Sequence, residues 1–114
     1  YGMKMKLSIL IALLTFMAVS CTKDVYIPPL YDCNTTVSYE TDIKPIIEAN
    51  CAGCHSTGFS AGDFSNFEGF KAKADQGLVN AQVFTEKKMP PTGPLPDQDL
   101  ELLYCWLQDG ALEN

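Results

Sequence analysis

The 114-residue chain contains no arginine, a single histidine and a single tryptophan. Its eight basic residues are all lysines, and because fourteen acidic residues oppose them the formal net charge is −6 at pH 7. A nucleic-acid-binding protein needs a concentrated basic face, so this composition excludes nucleic acid as a partner. No segment alternates strictly between apolar and polar residues, and no tight hairpin sequence is present. Both absences argue against strands, and the sequence predicts an all-α fold.

The N-terminal segment, residues 1–20, has the layout of a secretory signal peptide. Lys4 and Lys6 precede an uncharged, mostly aliphatic run, LSILIALLTFMAV, which ends at small residues. Positive charge, an apolar core and a small-residue cleavage site occur in this order in signal peptides. The alternative is a permanent membrane helix, which needs about 20 apolar residues, and this run is shorter. We therefore expect export followed by cleavage.

Cys21 stands at the predicted cleavage point. The sequence Ala18-Val19-Ser20-Cys21 resembles the lipobox of bacterial lipoproteins, although Ala18 occupies a position where leucine is more common. The resemblance implies that Cys21 is lipidated and anchors the protein to a membrane surface, in the periplasm or at the cell surface. Residues 21–37 would then be a tether, interrupted by two adjacent prolines, ahead of a domain over residues 38–114. The alternative is an ordinary cleaved signal peptide with a cysteine there by chance.

Helical patterns dominate residues 38–114, where apolar residues recur at three- to four-residue spacing. The loops between them are rich in glycine, serine and proline. A domain of this size with long loops has a thin core, so we expect a bound group to fill its centre. The first predicted helix runs from about Tyr39 to Cys51 and is capped by Ser38, Thr41 or Asp42. The second begins at a capping box, Ser65–Glu68, and ends at about Gln76, with Gly77 after it. A short helical segment at 78–85 and a last helix capped by Asp97 follow.

The sequence Cys51-Ala-Gly-Cys54-His55 contains the single histidine of the chain. The spacing C-x-x-C-H is the attachment signature of c-type haem. Cysteines three apart on a helical turn point to one side, so Cys51 and Cys54 can bond the two vinyl groups of one porphyrin. The next residue, His55, then lies under the iron as its proximal ligand. The motif therefore predicts one covalently attached haem c.

Two other kinds of site also use cysteine pairs. A thioredoxin-like redox dithiol expects a βαβ context, which the helical pattern lacks. A zinc-stabilised interaction module can in principle draw on Cys33, Cys51, Cys54, His55 and Cys105. Structural zinc ligands usually come as two spaced couples, whereas Cys33 and Cys105 each stand alone. Both alternatives are weaker than haem attachment.

The second axial ligand follows largely by elimination. A second histidine is absent, and three of the four methionines leave with the signal peptide, so Met89 is the only methionine of the mature chain. Met89 lies in the segment Lys87-Lys-Met-Pro-Pro91, whose prolines stiffen the loop. We expect Met89 to ligate the iron. The alternatives are a methionine that fills a gap in the core, Lys87 or Lys88 as the ligand, or an open site.

Taken together, these motifs resemble a small class I cytochrome c, of the single-haem kind found in exported bacterial lipoproteins. The resemblance rests on the helix that leads into Cys51, the Met89-Pro-Pro loop and the closing helix with Trp106, and it covers about residues 38–113. It implies three to four helices with long loops wrapped around one haem. It also implies that the first and last helices cross beside the haem and that Met89 reaches the iron from the face opposite His55.

The function that the resemblance implies is one-electron transfer, not the conversion of a substrate. The partners would be redox proteins, within or outside a respiratory or surface electron-transfer complex. The main alternative is a haem-based ligand sensor or a peroxidase-like protein, in which Met89 is absent from the iron or leaves it.

Cys33 and Cys105 remain after haem and lipid account for the other three cysteines. In an oxidising compartment an even remainder predicts a disulfide. That bond would pin the segment before the first helix to the last helix. The alternative is two separate buried thiols.

Overall fold

The computed structural model describes residues 30–114, which form helices and loops without a strand. The all-α prediction is confirmed for this part of the chain. The predicted signal peptide, the predicted lipidation site Cys21 and the first part of the predicted tether lie outside the described residues. Across residues 30–114, no helix has the length and apolar character needed to cross a membrane.

Four helical elements follow one another along the described chain. In the first, α1, the π-helical turn Tyr39–Ile43 continues directly into the α-helix Lys44–Asn50. The others are α2, Phe67–Asp75; α3, which joins the helical turn Leu78–Asn80 to the π-helical turn Ala81–Thr85; and α4, Asp97–Gln108.

The start of α1 is fixed by two reciprocal hydrogen bonds. Ser38 is the N-cap, and its side chain accepts a hydrogen bond from the Thr41 amide. The Ser38 amide in turn donates to Oδ2 of Asp42 at 2.8 Å. Each bond satisfies a backbone donor that the helix itself leaves unpaired. Of the three predicted caps, Ser38 is the one that the structure uses.

The start of α2 corrects the predicted capping box. Asn66, not Ser65, is the N-cap, and its side-chain oxygen accepts a hydrogen bond from the Gly69 amide at 2.8 Å. Ser65 is engaged elsewhere, because its amide and its hydroxyl both donate to Oδ1 of Asp63. Such local side-chain turns compete with helix capping. The predicted end is confirmed, since Gly77 follows α2 with a φ of 73°.

The start of α4 also differs from the prediction by one residue. Pro96 is the N-cap, and Asp97 is the first helical residue instead of the cap. No side chain caps this helix; the Pro96 carbonyl accepts from the Leu100 amide at 3.0 Å. Asp97 and Asp99 lie in the first turn, where negative charge interacts favourably with the helix dipole.

The core forms where α1 and α2 pack against α4. Trp106 and Ile43 are among the largest fully buried side chains. The Trp106 ring lies 5.8 Å from that of Tyr39 on α1 and 5.9 Å from that of Phe70 on α2. Its indole N–H donates to the Leu112 carbonyl at 2.9 Å, which satisfies its only polar atom. Trp106 thus joins three helices.

The segment before α1 packs against the domain. Cys33 and Cys105 form a disulfide with a Cα–Cα distance of 5.2 Å, which links this segment to α4 as the sequence predicts. Tyr31 lies against aromatic rings of α3 and α4, and Val37 is buried. Three residues that the sequence assigns to the tether, Tyr31, Cys33 and Val37, therefore belong to the folded domain.

Candidate functional site

A cavity of about 610 Å³ lies between the end of α1, α3 and the proline-rich loop that precedes α4. Its volume falls in the range of pockets that hold small organic ligands and cofactors, about 300–1,000 Å³. All four residues predicted to contact haem line it: Cys51, Cys54, His55 and Met89. Most of the remaining lining is apolar, including Phe70, Val79, Leu95 and Leu103.

The Cys51–His55 turn is formed by hydrogen bonds that close the end of α1. The amides of Cys51 and Ala52 both donate to the Ile47 carbonyl, at 2.8 and 2.9 Å. The amides of Cys54 and His55 then both donate to the Cys51 carbonyl, at 3.2 and 2.9 Å. These bonds coil the chain tightly enough that the two thiols and the imidazole line the same cavity.

The two thiols of this turn are free, with Cys51 half-buried and Cys54 exposed. Burial raises the pKa of the Cys51 thiol to about 11. The thiol is therefore protonated at neutral pH, whereas a redox dithiol needs a thiolate nucleophile. Burial of Cys51 therefore gives no support to a thioredoxin-like role for this thiol.

Few of the residues predicted as candidate zinc ligands are available in this structure. Cys33 and Cys105 are bonded to each other, so neither thiolate can bind metal. Residues 30–114 contain no group of three or more His, Cys, Asp or Glu side chains that could hold a metal ion. A haem iron has a smaller requirement, because the porphyrin supplies four ligands and the protein supplies only the axial pair.

His55 is held from two sides. Its Nδ1 lies 3.2 Å from the Gly62 carbonyl oxygen, within hydrogen-bonding distance. The imidazole also stacks on the Phe64 ring, with a centroid separation of 4.2 Å and an interplanar angle of 12°. When Nδ1 donates to Gly62, Nε2 keeps its lone pair for a metal. Metal-binding histidines are typically oriented in this way by a second hydrogen bond.

Two glycines allow the loop after His55 to approach α2. A Cβ added at Gly62, where φ is 135°, would lie 2.7 Å from the Phe64 ring. A Cβ at Gly69 would lie 1.7 Å from the Asp63 carbonyl oxygen. The sequence predicts residues 56–65 only as a loop and places Gly69 in the following helix. Gly62, shortly after the C-x-x-C-H motif, was the available indication of a close backbone approach.

Met89 lies on the loop that connects α3 to α4 and is 38 % exposed. The amides of Lys88 and Met89 both donate to the Gln82 carbonyl, at 2.9 and 3.1 Å. Lys87, just before them, adopts a left-handed conformation with a φ of 53°. Met89 lines the cavity, whereas Lys87 and Lys88 do not. Lys88 instead pairs with Glu86 at 2.6 Å, which lowers the pKa of the Glu86 carboxyl.

Lys73 is a further candidate residue that sequence reasoning missed. It is the only Lys, Asp or Glu among the described residues that line the cavity. None of the ion pairs formed within residues 30–114 involves Lys73. A half-buried cation beside an apolar cavity suits a ligand with an apolar body and an acidic edge. The predicted second helix contains Lys73, but the sequence did not show that this residue lines a cavity.

Comparisons of the chain with protein-family models, with curated proteins and with solved structures found no match. The resemblance to class I cytochromes c therefore rests on the sequence motifs.

Proposed function

We propose that this protein is a monohaem c-type cytochrome that transfers single electrons at a membrane surface outside the cytoplasm. The observation that carries the proposal is that Cys51, Cys54, His55 and Met89 line one largely apolar cavity of about 610 Å³. The first three come from the end of α1, and Met89 comes from the loop before α4. Two separate segments thus supply the attachment residues and both candidate axial ligands.

The residues fit haem in chemistry as well as in position. The thiols of Cys51 and Cys54 would form thioether bonds to the vinyl groups, and Nε2 of His55 would bind the iron. Lys73 would face the propionate carboxylates. Haem, when bound, supplies the one-electron couple between Fe(III) and Fe(II). The protein's part is to hold the group, exclude water from its faces and keep the ligands in place.

Met89 needs support as a ligand because the bond between iron and a thioether is weak. The Gln82 carbonyl supplies that support by accepting the amides of Lys88 and Met89. With His55 and Met89 both bound, the iron would have no free position for a substrate. One-electron transfer is then the remaining chemistry, and the methionine sulfur raises the reduction potential.

The packing of the helices is compatible with a cytochrome c-like fold. The start of α1 packs against α4 through Tyr39 and Trp106, as the first and last helices of that fold would. Phe59, Leu78 and Met89 line the cavity and are each more than one-third exposed. One edge of the bound haem would therefore lie near solvent, where electrons can pass to a redox partner, alone or in a respiratory or surface complex.

Export and lipidation belong to the same proposal. A carrier that works outside the cytoplasm benefits from a covalent cofactor, because a haem lost there is not recovered. The lipid on Cys21 would hold the domain near its partners. Replacing this residue, Cys21→Ser, is expected to release the protein from membranes without loss of haem, which membrane fractionation measures.

A ligand sensor or peroxidase-like protein is the second candidate. The observation in its favour is the exposure of Met89, 38 %, on a loop that also contains the left-handed Lys87. If Met89 left the iron, the open position would bind carbon monoxide. Ready binding of carbon monoxide by the reduced wild-type protein distinguishes this candidate from the electron carrier.

The test of haem attachment compares four cysteine variants of the full chain, exported from a host with haem-attachment machinery. Cys51→Ser and Cys54→Ser are each expected to lose one thioether bond, and the double variant to lose haem on acid-acetone extraction. Cys33→Ser is the matched control and is expected to retain covalent haem. A folded, colourless wild-type protein with about one zinc per chain would contradict the proposal.

A further inference from the structure

Tyr31 closes a cluster of three aromatic rings at the side of the domain. Its ring lies 6.3 Å from Phe84 of α3 and 5.0 Å from Tyr104 of α4, centroid to centroid. Phe84 and Tyr104 are 5.7 Å apart and meet edge to face. Phe84 is only 5 % exposed. The segment before α1 therefore contacts the two helical elements that flank the proline-rich loop.

The disulfide fixes Tyr31 at this position. Cys33 is two residues after Tyr31, and its partner Cys105 is the neighbour of Tyr104 on α4. The segment is thus joined to adjacent residues of α4 by one covalent bond and one ring contact. Because Cys105 is itself almost completely buried, at 2 % exposed, the bond attaches the segment to the core.

Phe84 connects this cluster to the Met89 loop. It belongs to the π-helical turn Ala81–Thr85, which also contains Gln82. Gln82 lines the cavity, and its carbonyl accepts hydrogen bonds from the amides of Lys88 and Met89. A movement of Phe84 would therefore move the carbonyl that holds Met89. The left-handed conformation of Lys87 requires such support, because non-glycine residues rarely adopt it unaided.

We propose that Tyr31 is a positioning residue for Met89. Through Phe84 and the Gln82 carbonyl, the segment between the predicted anchor and the domain holds the loop that presents the sulfur to the cavity. The inference rests on the proposed function, since it concerns the axial ligand of a haem. It makes this segment part of the site as well as a tether.

The test uses the full-length holoprotein and three variants. Tyr31→Ala removes the ring, Tyr31→Phe keeps it, and Thr36→Ala changes an exposed residue of the same segment. The first readout is the affinity of the ferric protein for imidazole, which competes with Met89. An aromatic contact of this kind corresponds to about a two- to tenfold change in an equilibrium constant. We expect Tyr31→Ala to bind imidazole more tightly by that factor, with Tyr31→Phe and Thr36→Ala unchanged.

The second readout separates positioning from general stability. Amide hydrogen exchange of Lys88 and Met89 is expected to accelerate in Tyr31→Ala, while that of Cys51 and Ala52, whose amides are bonded to the Ile47 carbonyl of α1, is not. If all four amides accelerate equally, Tyr31 contributes only to overall stability and the inference is wrong. Should Tyr31→Ala not accumulate, Tyr31→Leu replaces it, because leucine retains apolar volume without the ring.

Failure of this inference is distinguishable from failure of the proposed function. A wild-type holoprotein with a far-red sulfur-to-iron band, combined with unchanged imidazole affinity in Tyr31→Ala, overturns the inference alone. Equal effects of Tyr31→Phe and Tyr31→Ala also overturn it. Tyr31→Phe keeps the ring, so equal effects would mean that the ring contacts do not position Met89. A wild-type protein without covalent haem overturns both.

Discussion

Replacing Gly69 by alanine has two opposite effects on stability: it raises the helix propensity, and it brings the new Cβ into collision with backbone atoms. Gly69 lies in α2, where alanine is favoured over glycine by about 1 kcal/mol. However, the new Cβ would lie 1.7 Å from the Asp63 carbonyl oxygen and 2.9 Å from the Asp63 carbonyl carbon, whereas ordinary contacts begin at 3.4 Å. Both atoms belong to the backbone, so no change of rotamer can relieve the overlap. The loop from His55 to Asp63 must move away from α2.

The collision is expected to outweigh the propensity gain. Overpacking that forces side chains and backbone to shift costs about 1–3 kcal/mol, and occasionally more. A contact of 1.7 Å with a backbone atom belongs at the upper end of that range, so after the propensity gain of about 1 kcal/mol is subtracted we expect Gly69→Ala to lower the free energy of unfolding by about 2 kcal/mol, a large part of the stability of a small domain. Because Gly62 precedes Asp63 and its carbonyl holds His55, the shift would also disturb the imidazole.

The assay is urea denaturation followed by far-ultraviolet circular dichroism. Gly53→Ala is the matched control, because no atom lies within 4 Å of the added Cβ and the C-x-x-C-H spacing is kept. We expect the control to remain within about 0.5 kcal/mol of the wild type. A Gly69→Ala protein as stable as the wild type, or more stable, would refute the close approach of this loop to α2.

Three further changes test other parts of the structure by urea denaturation. Cys33→Ala opens a covalent loop of 72 residues, and the chain-entropy model predicts that the free energy of unfolding falls by about 4 kcal/mol. This difference between the variant and the wild type is expected to disappear when the disulfide of the wild type is reduced. Asn66→Ala removes the cap of α2 and is expected to lower the free energy of unfolding by about 1 kcal/mol. Ser65→Ala, at the position that the sequence predicts as the cap, is expected to lower it by less than about 0.5 kcal/mol. Hydrogen bonds from the Ser65 side chain and amide lower the pKa of the Asp63 carboxyl. The stabilising contribution of Asp63 is therefore present above the unfolded-state pKa of about 3.9 and is lost as the pH falls through the lower folded-state pKa. Asp63→Asn is expected to flatten the loss of stability below about pH 4.

The sequence predicted the elements of the fold better than their starting residues. The apolar spacing in α1 and α4 decides which face is buried, so both helices were found. The start of α2 was missed by one residue, because the Ser65 hydroxyl bonds to Asp63 instead of capping the helix. Two local interactions compete there for one hydroxyl, and a sequence pattern does not reveal which one prevails.

The grouping of the C-x-x-C-H residues could be predicted because it is local. Cys51, Cys54 and His55 lie within one turn, so their spacing alone places them together. The contacts that orient His55 depend on a loop returning to the imidazole through Gly62 and Phe64. Such contacts are set by tertiary packing, which no fixed spacing encodes.

The sequence predicts Met89 as an axial ligand by elimination, and the structure places Met89 among the residues that line the cavity. The hydrogen bonds that hold its loop could not be predicted. They depend on the Gln82 carbonyl of a π-helical turn, and the sequence indicated only a short helical segment there. Tyr31 was assigned to a tether because its surroundings contain prolines and no helical period, although its ring packs on α3 and α4.

The most direct test of the central claim is the visible spectrum of residues 22–114, exported in a host with haem-attachment machinery, in both oxidation states. We expect sharp reduced bands that survive acid-acetone extraction and a weak far-red sulfur-to-iron band in the oxidised protein. That band is expected to vanish in Met89→Ala and to persist in Lys88→Ala, the matched control. A colourless folded protein, or a covalent haem whose spectrum is the same in the wild type and Met89→Ala, would contradict a haem held by His55 and Met89.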